Sequence, residues 1–322
     1  MSDIKLFRLS GGQVSELSGH SVQIEKSLQS LFEANLETLL GVRVLASEHS
    51  TGPVHGGRID TLGLDEDNCP VIIEYKRAIN ENVVSQGLFY LDWLMDHKKD
   101  FQWLVYEQFG SDAAKGIDWS TPRLICIAGD FTRYDTHAVK QINRNIELLR
   151  YRRFDHDFLM IELVHAPKAL KANNSQPPST TVPSGVNAVT LPTVDTTATS
   201  DPYATYRIAY KLANAPTLIR DIYEALSAFL SGLGDDVQVK EAKNYIAFKR
   251  IKNFACVEVF NQAKKVVAYL SLDPTTVDLE AQFTRDVRGT GHYGTGDLEV
   301  TLYSLEDFAK ATPLFQRAYE GI

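Results

Sequence analysis

Between Pro167 and Pro202 the chain runs through Gln-Pro-Pro-Ser-Thr-Thr-Val-Pro-Ser-Gly and Thr-Thr-Ala-Thr-Ser-Asp-Pro, too poor in aromatic and charged residues to bury enough surface to order itself. Whatever this sequence folds into must therefore have two cores, one on each side of that stretch. Residues 1–166 and 203–322 are each long enough for an ordinary domain. Residues 167–202 read as a flexible, partly extended tether that lets the second domain swing relative to the first. With 44% hydrophobic and 23% charged residues the usage is that of a globular protein. No apolar run approaches the roughly 18 residues of a membrane span. The opening Met-Ser-Asp-Ile-Lys-Leu-Phe lacks the basic and apolar regions of a signal peptide, and the scattered Cys69, Cys126 and Cys256 suit a reducing interior. These features point to a cytoplasmic protein with no membrane association.

The chemistry is concentrated in the first domain. Val-Ile-Ile-Glu-Tyr-Lys, residues 71–76, is apolar enough for a central strand, yet it carries Glu74 and Lys76. Alternate side chains of a strand share one face, so the acid and the amine point one way while Val71, Ile73 and Tyr75 point the other. Upstream, Arg58-Ile-Asp-Thr-Leu-Gly-Leu64 alternates so as to put Ile59 with Thr61 and Asp60 with Leu62. The intervening Asp65-Glu-Asp-Asn-Cys-Pro70 is rich in turn formers, and the resulting hairpin brings Asp60 beside Glu74. Two carboxylates so placed can hold a hard divalent cation through oxygen, and a neighbouring lysine can orient or deprotonate a water. Acids and an amine on an apolar sheet are costly unless they pair with each other or with a metal. Short Glu-x-Lys runs also occur as solvated strand faces; it is the apolar setting of this one that favours a site.

The order of elements carries a resemblance as well. A helix with acids (Ile24 to Leu40, with Glu33 and Glu37) precedes a strand (Val42 to Ala46), the Asp60 strand, the Glu74-x-Lys76 strand and a further helix. That helix contains Gln86-Gly-Leu-Phe-Tyr90, a Gln-x-x-x-Tyr pair one turn apart on one helical face. Residues 24 to 128 thus resemble the PD-(D/E)XK, or restriction-endonuclease-like, nuclease superfamily, in its RecB-type branch, and look like the nuclease half of the NucS mismatch endonucleases. Ile59 stands where the motif has proline, and no cysteine spacing fits an iron-sulfur cluster or zinc. The resemblance implies an α/β fold, a mixed central sheet flanked by helices. It also implies a nuclease dependent on Mg2+ or Mn2+, with DNA as substrate, in repair or in defence against foreign DNA. Asp60, Glu74 and the Tyr75 carbonyl would be metal ligands, with Glu33 a second-metal or outlying acid; Glu33 and Glu37 could instead be surface acids. Lys76 would position the attacking water, and Gln86 and Tyr90 would support Lys76, a water or the scissile strand; Tyr90 could equally be core. Arg58 and the loop residue His55 are candidate phosphate contacts, and Gly56 and Gly57 would let backbone approach a nucleic-acid strand. A non-cleaving nucleic-acid or partner-binding protein on the same fold is the alternative.

Net charge is −8, and residues 1–170 are themselves acidic, which runs against a broad nucleic-acid footprint. Local clusters matter more. Arg150, Arg152 and Arg153, with Tyr151 and with Lys140 and Arg144 on a helix read over Thr136 to Leu149, form one basic aromatic patch; Lys243, Lys249, Arg250 and Lys252 form another. Either could be an ordinary solvated strand end. Gly289-Thr-Gly-His-Tyr-Gly294 matches a dinucleotide fingerprint but lacks the strand before it and the helix after it. The second half reads as a separate small α+β domain for recognition or homodimerisation: a helix over Pro216 to Leu233, strands near 245–250, 254–260, 266–272 and 298–303, and a closing helix capped by Ser304.

Overall fold

The computed structural model describes residues 4–20, 25–76, 83–155, 157–167 and 207–321. Apart from Pro167, the stretch read as a tether lies outside the described residues. The N-terminal half contains β1 (Leu6–Ser10), β2 (Gln13–Leu17), β3 (Gly19–His20), α1 (Glu25–Glu33), α2 (Leu36–Leu40), β4 (Val42–Ser50), α3 (Gly52–His55), β5 (Arg58–Asp65) and β6 (Pro70–Lys76). It continues with α4 (Val83–Asp96), α5 (Lys98–Lys115), β7 (Arg123–Ala128), α6 (Arg133–Gln141), β8 (Asn145–Phe154) and β9 (Phe158–His165). The C-terminal half has α7 (Ile208–Ala213), α8 (Thr217–Gly232), β10 (Gln238–Glu241), β11 (Ile246–Lys249), β12 (Asn253–Phe260), β13 (Lys265–Leu270), β14 (Thr284–Asp286), β15 (Leu298–Leu302) and α9 (Leu305–Glu320).

A seven-stranded mixed sheet in the order β3-β8-β7-β6-β5-β4, with β9 on β8, organises the first half. β6, β7 and β8 are parallel and β4, β5 and β6 antiparallel. Leu28, Phe32, Leu36 and Leu40 of α1 and α2 pack on Val71, Ile73, Tyr75, Ile125 and Ile127, one face of the sheet. Val84, Leu91 and Leu94 of α4 pack on Ile72, Leu124, Cys126 and Leu148, the other. Each central strand is thus apolar on both faces, as parallel strands covered by helices must be. Gly87 lets α4 close on that sheet, because a Cβ there would meet Leu124 Cδ1 at 2.5 Å. The second half is a six-stranded antiparallel sheet, β10-β11-β12-β13-β15-β14, with α8 and α9 packed on one face through Ile219, Ile222, Leu226, Ala311 and Phe315. Ser304 caps α9 reciprocally with Asp307.

Several elements differ from the sequence reading, among them β10 and β14, the latter a short strand just before the Gly289–Gly294 run where none was expected. The first helix breaks at Ala34 and Asn35 into α1 and α2, so that Leu36 and Leu40 can turn onto the sheet. Residues 145–149 are strand rather than helix: Ile146, Leu148 and Leu149 pair in parallel with β7, and that interior pairing outweighs a local helical pattern.

The halves also meet, which free swinging on a tether would not require. The β5–β6 turn inserts against β10, β11 and β12: Asp67 accepts hydrogen bonds from Tyr245 Oη (2.7 Å) and Asn253 Nδ2 (2.8 Å) and pairs with Lys240 Nζ (3.2 Å). Glu66 accepts from the Asn253 N–H (2.9 Å), Lys252 Nζ donates to the Thr38 carbonyl (3.1 Å), and Ile251 packs against the α1–α2 core. The second basic patch is therefore turned to internal use: Lys249 is buried, Lys252 docks, and Arg250 pairs with Asp236 (2.6 Å). Burial raises the Glu66 carboxyl to about 7. A raised folded-state pKa gives stability that is fully present below about 4.5 and is lost as pH climbs through about 7, a difference of about 3 kcal/mol at most. Denaturant titrations of Glu66→Gln should show this loss between pH 4.5 and 7 flattened relative to the parent chain.

Candidate active site

The carboxylates sit where β5 and β6 part. Their ladder runs from Leu64↔Pro70 to Thr61↔Ile73, and beyond it side chains take over from backbone. The Asp60 N–H donates to Glu74 Oε1 (3.2 Å), and the Tyr75 N–H donates to Asp60 Oδ2 (3.0 Å). Each acid thus engages the opposite strand with one oxygen and carries a second. Glu74 is fully buried and Asp60 half-buried. Lys76 follows two residues along β6, on the face of Glu74, and is half-buried at the strand end. Cys126 of β7 lies beside Glu74 in register; burial, with Glu74 close by, pushes its thiol up, so it is no nucleophile.

Asp60 is reached through a turn in the backbone that alternation does not foresee. Glu48, opposite Asp60 between the pairs Ser47↔Thr61 and His49↔Ile59, has a left-handed φ of 54°. On one side of this point Ser47 and Thr61 face α1; on the other, His49 packs on Trp93 of α4 and Ile59 joins Leu62 in the α4 core. Ile59 therefore shares a core with Leu62, not a side with Thr61: both strands roll over at Asp60. Holding a glutamate in that conformation costs about 1 kcal/mol or more, and such outliers gather at functional sites. Glu48 also collects two cations, Arg58 Nε (2.5 Å) and Lys26 Nζ (3.3 Å), which places two basic groups at this rim.

Glu33 is drawn toward the same point from α1. Its Oε1 accepts from Thr61 Oγ1 (2.5 Å) and Gln29 Nε2 (3.1 Å), and its Oε2 accepts from Ser47 Oγ (3.1 Å). Gln29, absent from the sequence reading, is buried and also donates to the Asp60 carbonyl (2.8 Å). Its one signal is its position, one turn before Glu33 on the same helical face. Glu37 is exposed on α2. Across the sheet, Tyr90 Oη accepts from the Arg58 N–H and from Gln86 Nε2, both at 3.2 Å, which ties α4 to the first residue of β5. Tyr75 is buried in the α1 core with its hydroxyl near Thr61 (3.5 Å), and its carbonyl belongs to the strand end between the acid and the lysine.

Other expected contacts fall elsewhere. Arg150 is buried and ion-paired with Asp130 (3.2 Å) and Glu162 (3.5 Å), so its guanidinium is used internally. Arg152 and Arg153 are half-buried on β8, and Arg144 and Lys140 do not share a helix. His55 sits on α3 against Phe89 and His97. Among the described residues no group of three or more His, Cys, Asp or Glu gathers as a metal cage. Two carboxylates and a strand carbonyl are nevertheless a donor set that suits Mg2+ or Mn2+, which keep waters and take phosphate oxygens as further ligands.

Gly57 lies in close contact with α4. A Cβ there would meet the Tyr90 ring at 2.6 Å and its hydroxyl at 3.0 Å. Gly57→Ala should destabilise the chain by about 1–3 kcal/mol in urea titrations, and Tyr90→Leu in the same chain should relieve most of that loss.

Comparison with known proteins identifies relatives. Over 318 residues the chain is 30% identical to an uncharacterized protein of Haemophilus influenzae, covering 98% of this chain and 99% of that one. The chain belongs to the same family as this Haemophilus protein. Within that family, residues 210–321 match the domain of unknown function DUF5655, which coincides with the second sheet and its helices. Solved structures that it matches include a repair endonuclease from Pyrococcus abyssi (21% identity, 41% of this chain and 49% of that one, TM-score 0.27) and an EndoMS–dsDNA2 complex (21% identity, 41% and 47%, TM-score 0.25). The chain spans about half the length of these solved chains. No helix among the described residues is long and apolar enough to cross a membrane.

Proposed function

We propose that the chain is a divalent-metal-dependent nuclease that hydrolyses phosphodiester bonds in DNA, in repair or in defence against foreign DNA. The observation that carries this reading is the reciprocal arrangement of Asp60 and Glu74 at the point where their strands part, with Lys76 on the same face. Asp60, Glu74 and the Tyr75 carbonyl would hold Mg2+ or Mn2+. A bound cation there lowers the pKa of water and neutralises charge on phosphoryl oxygens. The chain's own part is positional and electrostatic. Burial fixes the Glu74 rotamer, and the Tyr75 N–H aims the Asp60 carboxylate. The Lys76 ammonium stabilises charge on the phosphate and orients the attacking water. Gln29 and Glu33 brace the Asp60 backbone from α1, and Gln86 and Tyr90 brace Arg58 from α4. The rim of Lys26 and Arg58 suits a phosphate backbone.

The test is incubation of the full chain with linear, circular, single-stranded and branched DNA in Mg2+ or Mn2+, against EDTA. Cleavage that requires the cation is the expected result. Binding without cleavage under either cation would replace this reading with that of a non-cleaving DNA-binding protein.

A further inference from the structure

Beside the acids lies a group of rings that the hydrolysis does not use. His49 packs on Trp93 (centroids 5.3 Å), and Trp93 stacks with His97 at 4.8 Å and 15°. His55 lies edge-on to His97 (5.7 Å, 84°) and 5.4 Å from Phe89, which neighbours Tyr90 at 5.9 Å. Core packing explains Tyr90 and Trp93, which are buried. It does not explain the outer edge: Phe89 is 47% exposed and Val54, next to His55, is 91% exposed. Scattered apolar residues on a surface need no explanation, but these two flank a histidine pinned between rings. The group is also continuous with the candidate site, through Tyr90 Oη on the Arg58 N–H and through His49 opposite Ile59. Lys98 and Lys99, both exposed, follow His97 directly.

We infer that Phe89 and His55, with Val54 at the edge, form a shelf on which an unpaired nucleobase of DNA stacks while the adjoining phosphate lies at Asp60, Glu74 and Lys76; this rests on the nuclease reading. Every base has a π face, so a ring platform beside cations binds single strands with little regard to sequence. In a duplex both faces of a base are already covered by its neighbours. A shelf built of one exposed ring and one half-buried histidine therefore selects single-stranded or frayed DNA over intact duplex. The contacts of His55 with Phe89 and His97 hold the surface ready before the base arrives, which lowers the ordering cost on binding.

The probe is a single-stranded oligonucleotide carrying 2-aminopurine, titrated with the full chain in EDTA so that no cleavage occurs. The expected result is fluorescence quenching on binding, weaker affinity for the matched duplex, and for Phe89→Ala a loss of quenching with about tenfold weaker binding; Phe89→Trp should retain both. Equal thermal melting of the Phe89 variants excludes a folding effect, since Phe89 is half-exposed. Wild-type quenching that survives Phe89→Ala, or duplex bound as tightly as single strand, would overturn the shelf. The two readings fail separately: quenching without any cation-dependent cleavage would remove the nuclease and keep the shelf, whereas cleavage without quenching would do the reverse.

Discussion

Arg123→Met is expected to destabilise the chain by about 3–5 kcal/mol, a large part of the roughly 5–15 kcal/mol that a domain has in hand. Arg123 is buried at the start of β7, donating from Nε and Nη2 to the two oxygens of Glu147 (2.8 and 2.9 Å) and from Nη1 to Asp65 (3.0 Å). The two carboxylates hold the guanidinium protonated, and it in turn holds Glu147 below the usual carboxylate range. Removing the arginine leaves two acids in the interior, with Lys249 and Lys240 as remaining cations that act on them. Asp65 also accepts the N–H groups of Asp67 and Cys69, so the turn that receives the C-terminal domain would loosen with it. Urea unfolding of the full chain measures the loss. Replacing Glu147 by Met in the same chain should recover part of it, because a buried charge is most costly when its partner alone is removed. The depressed Glu147 carboxyl has the opposite pH signature to Glu66: its stability is present above about 4.5 and fades as pH falls below that.

The second large effect is on catalysis. Asp60→Asn and Lys76→Ala should each lower cation-dependent DNA cleavage by about 10²-fold to 10⁴-fold while leaving the urea midpoint close to the parent's. Asp60→Asn keeps the size of the side chain and an oxygen able to accept the Tyr75 N–H, so the fold survives while half of the carboxylate pair is neutralised. Lys76 ends β6 at the surface of the sheet, where truncation leaves no buried hole. Single-turnover rates on a labelled strand separate this loss from weakened binding. A uniform loss of binding with an unchanged single-turnover rate would assign both residues to grip and not to chemistry.

Much of this was legible from residues alone, and the reasons are physical. The hairpin that sets Asp60 beside Glu74 follows from period-two alternation around a turn-forming run, and the closing helix follows from Ser304 and its capping partner. What alternation cannot express is a backbone that rolls over. The left-handed Glu48 sends Ile59 to the α4 core against its sequence parity. The strand at 145–149, read as the end of a helix, escaped for a different reason: its pairing with β7, and the Arg123 that meets Glu147, lie far away in sequence. Lys249 and Lys252 read as a basic patch because a lysine carries no mark in its own sequence of the distant partner it meets, buried acids for Lys249 and the Thr38 carbonyl for Lys252. Gln29, which ties Glu33 to Asp60, is one amide on a helix full of polar residues.

The account turns on Asp60 and Glu74 forming one cation site, and calorimetric titration of the full chain with Mn2+ tests that most directly. The prediction is saturable binding by the parent chain that is lost in both Asp60→Asn and Glu74→Gln, with folding unchanged by circular dichroism. Undiminished binding in both variants, or no binding by the parent at millimolar Mn2+, would contradict it.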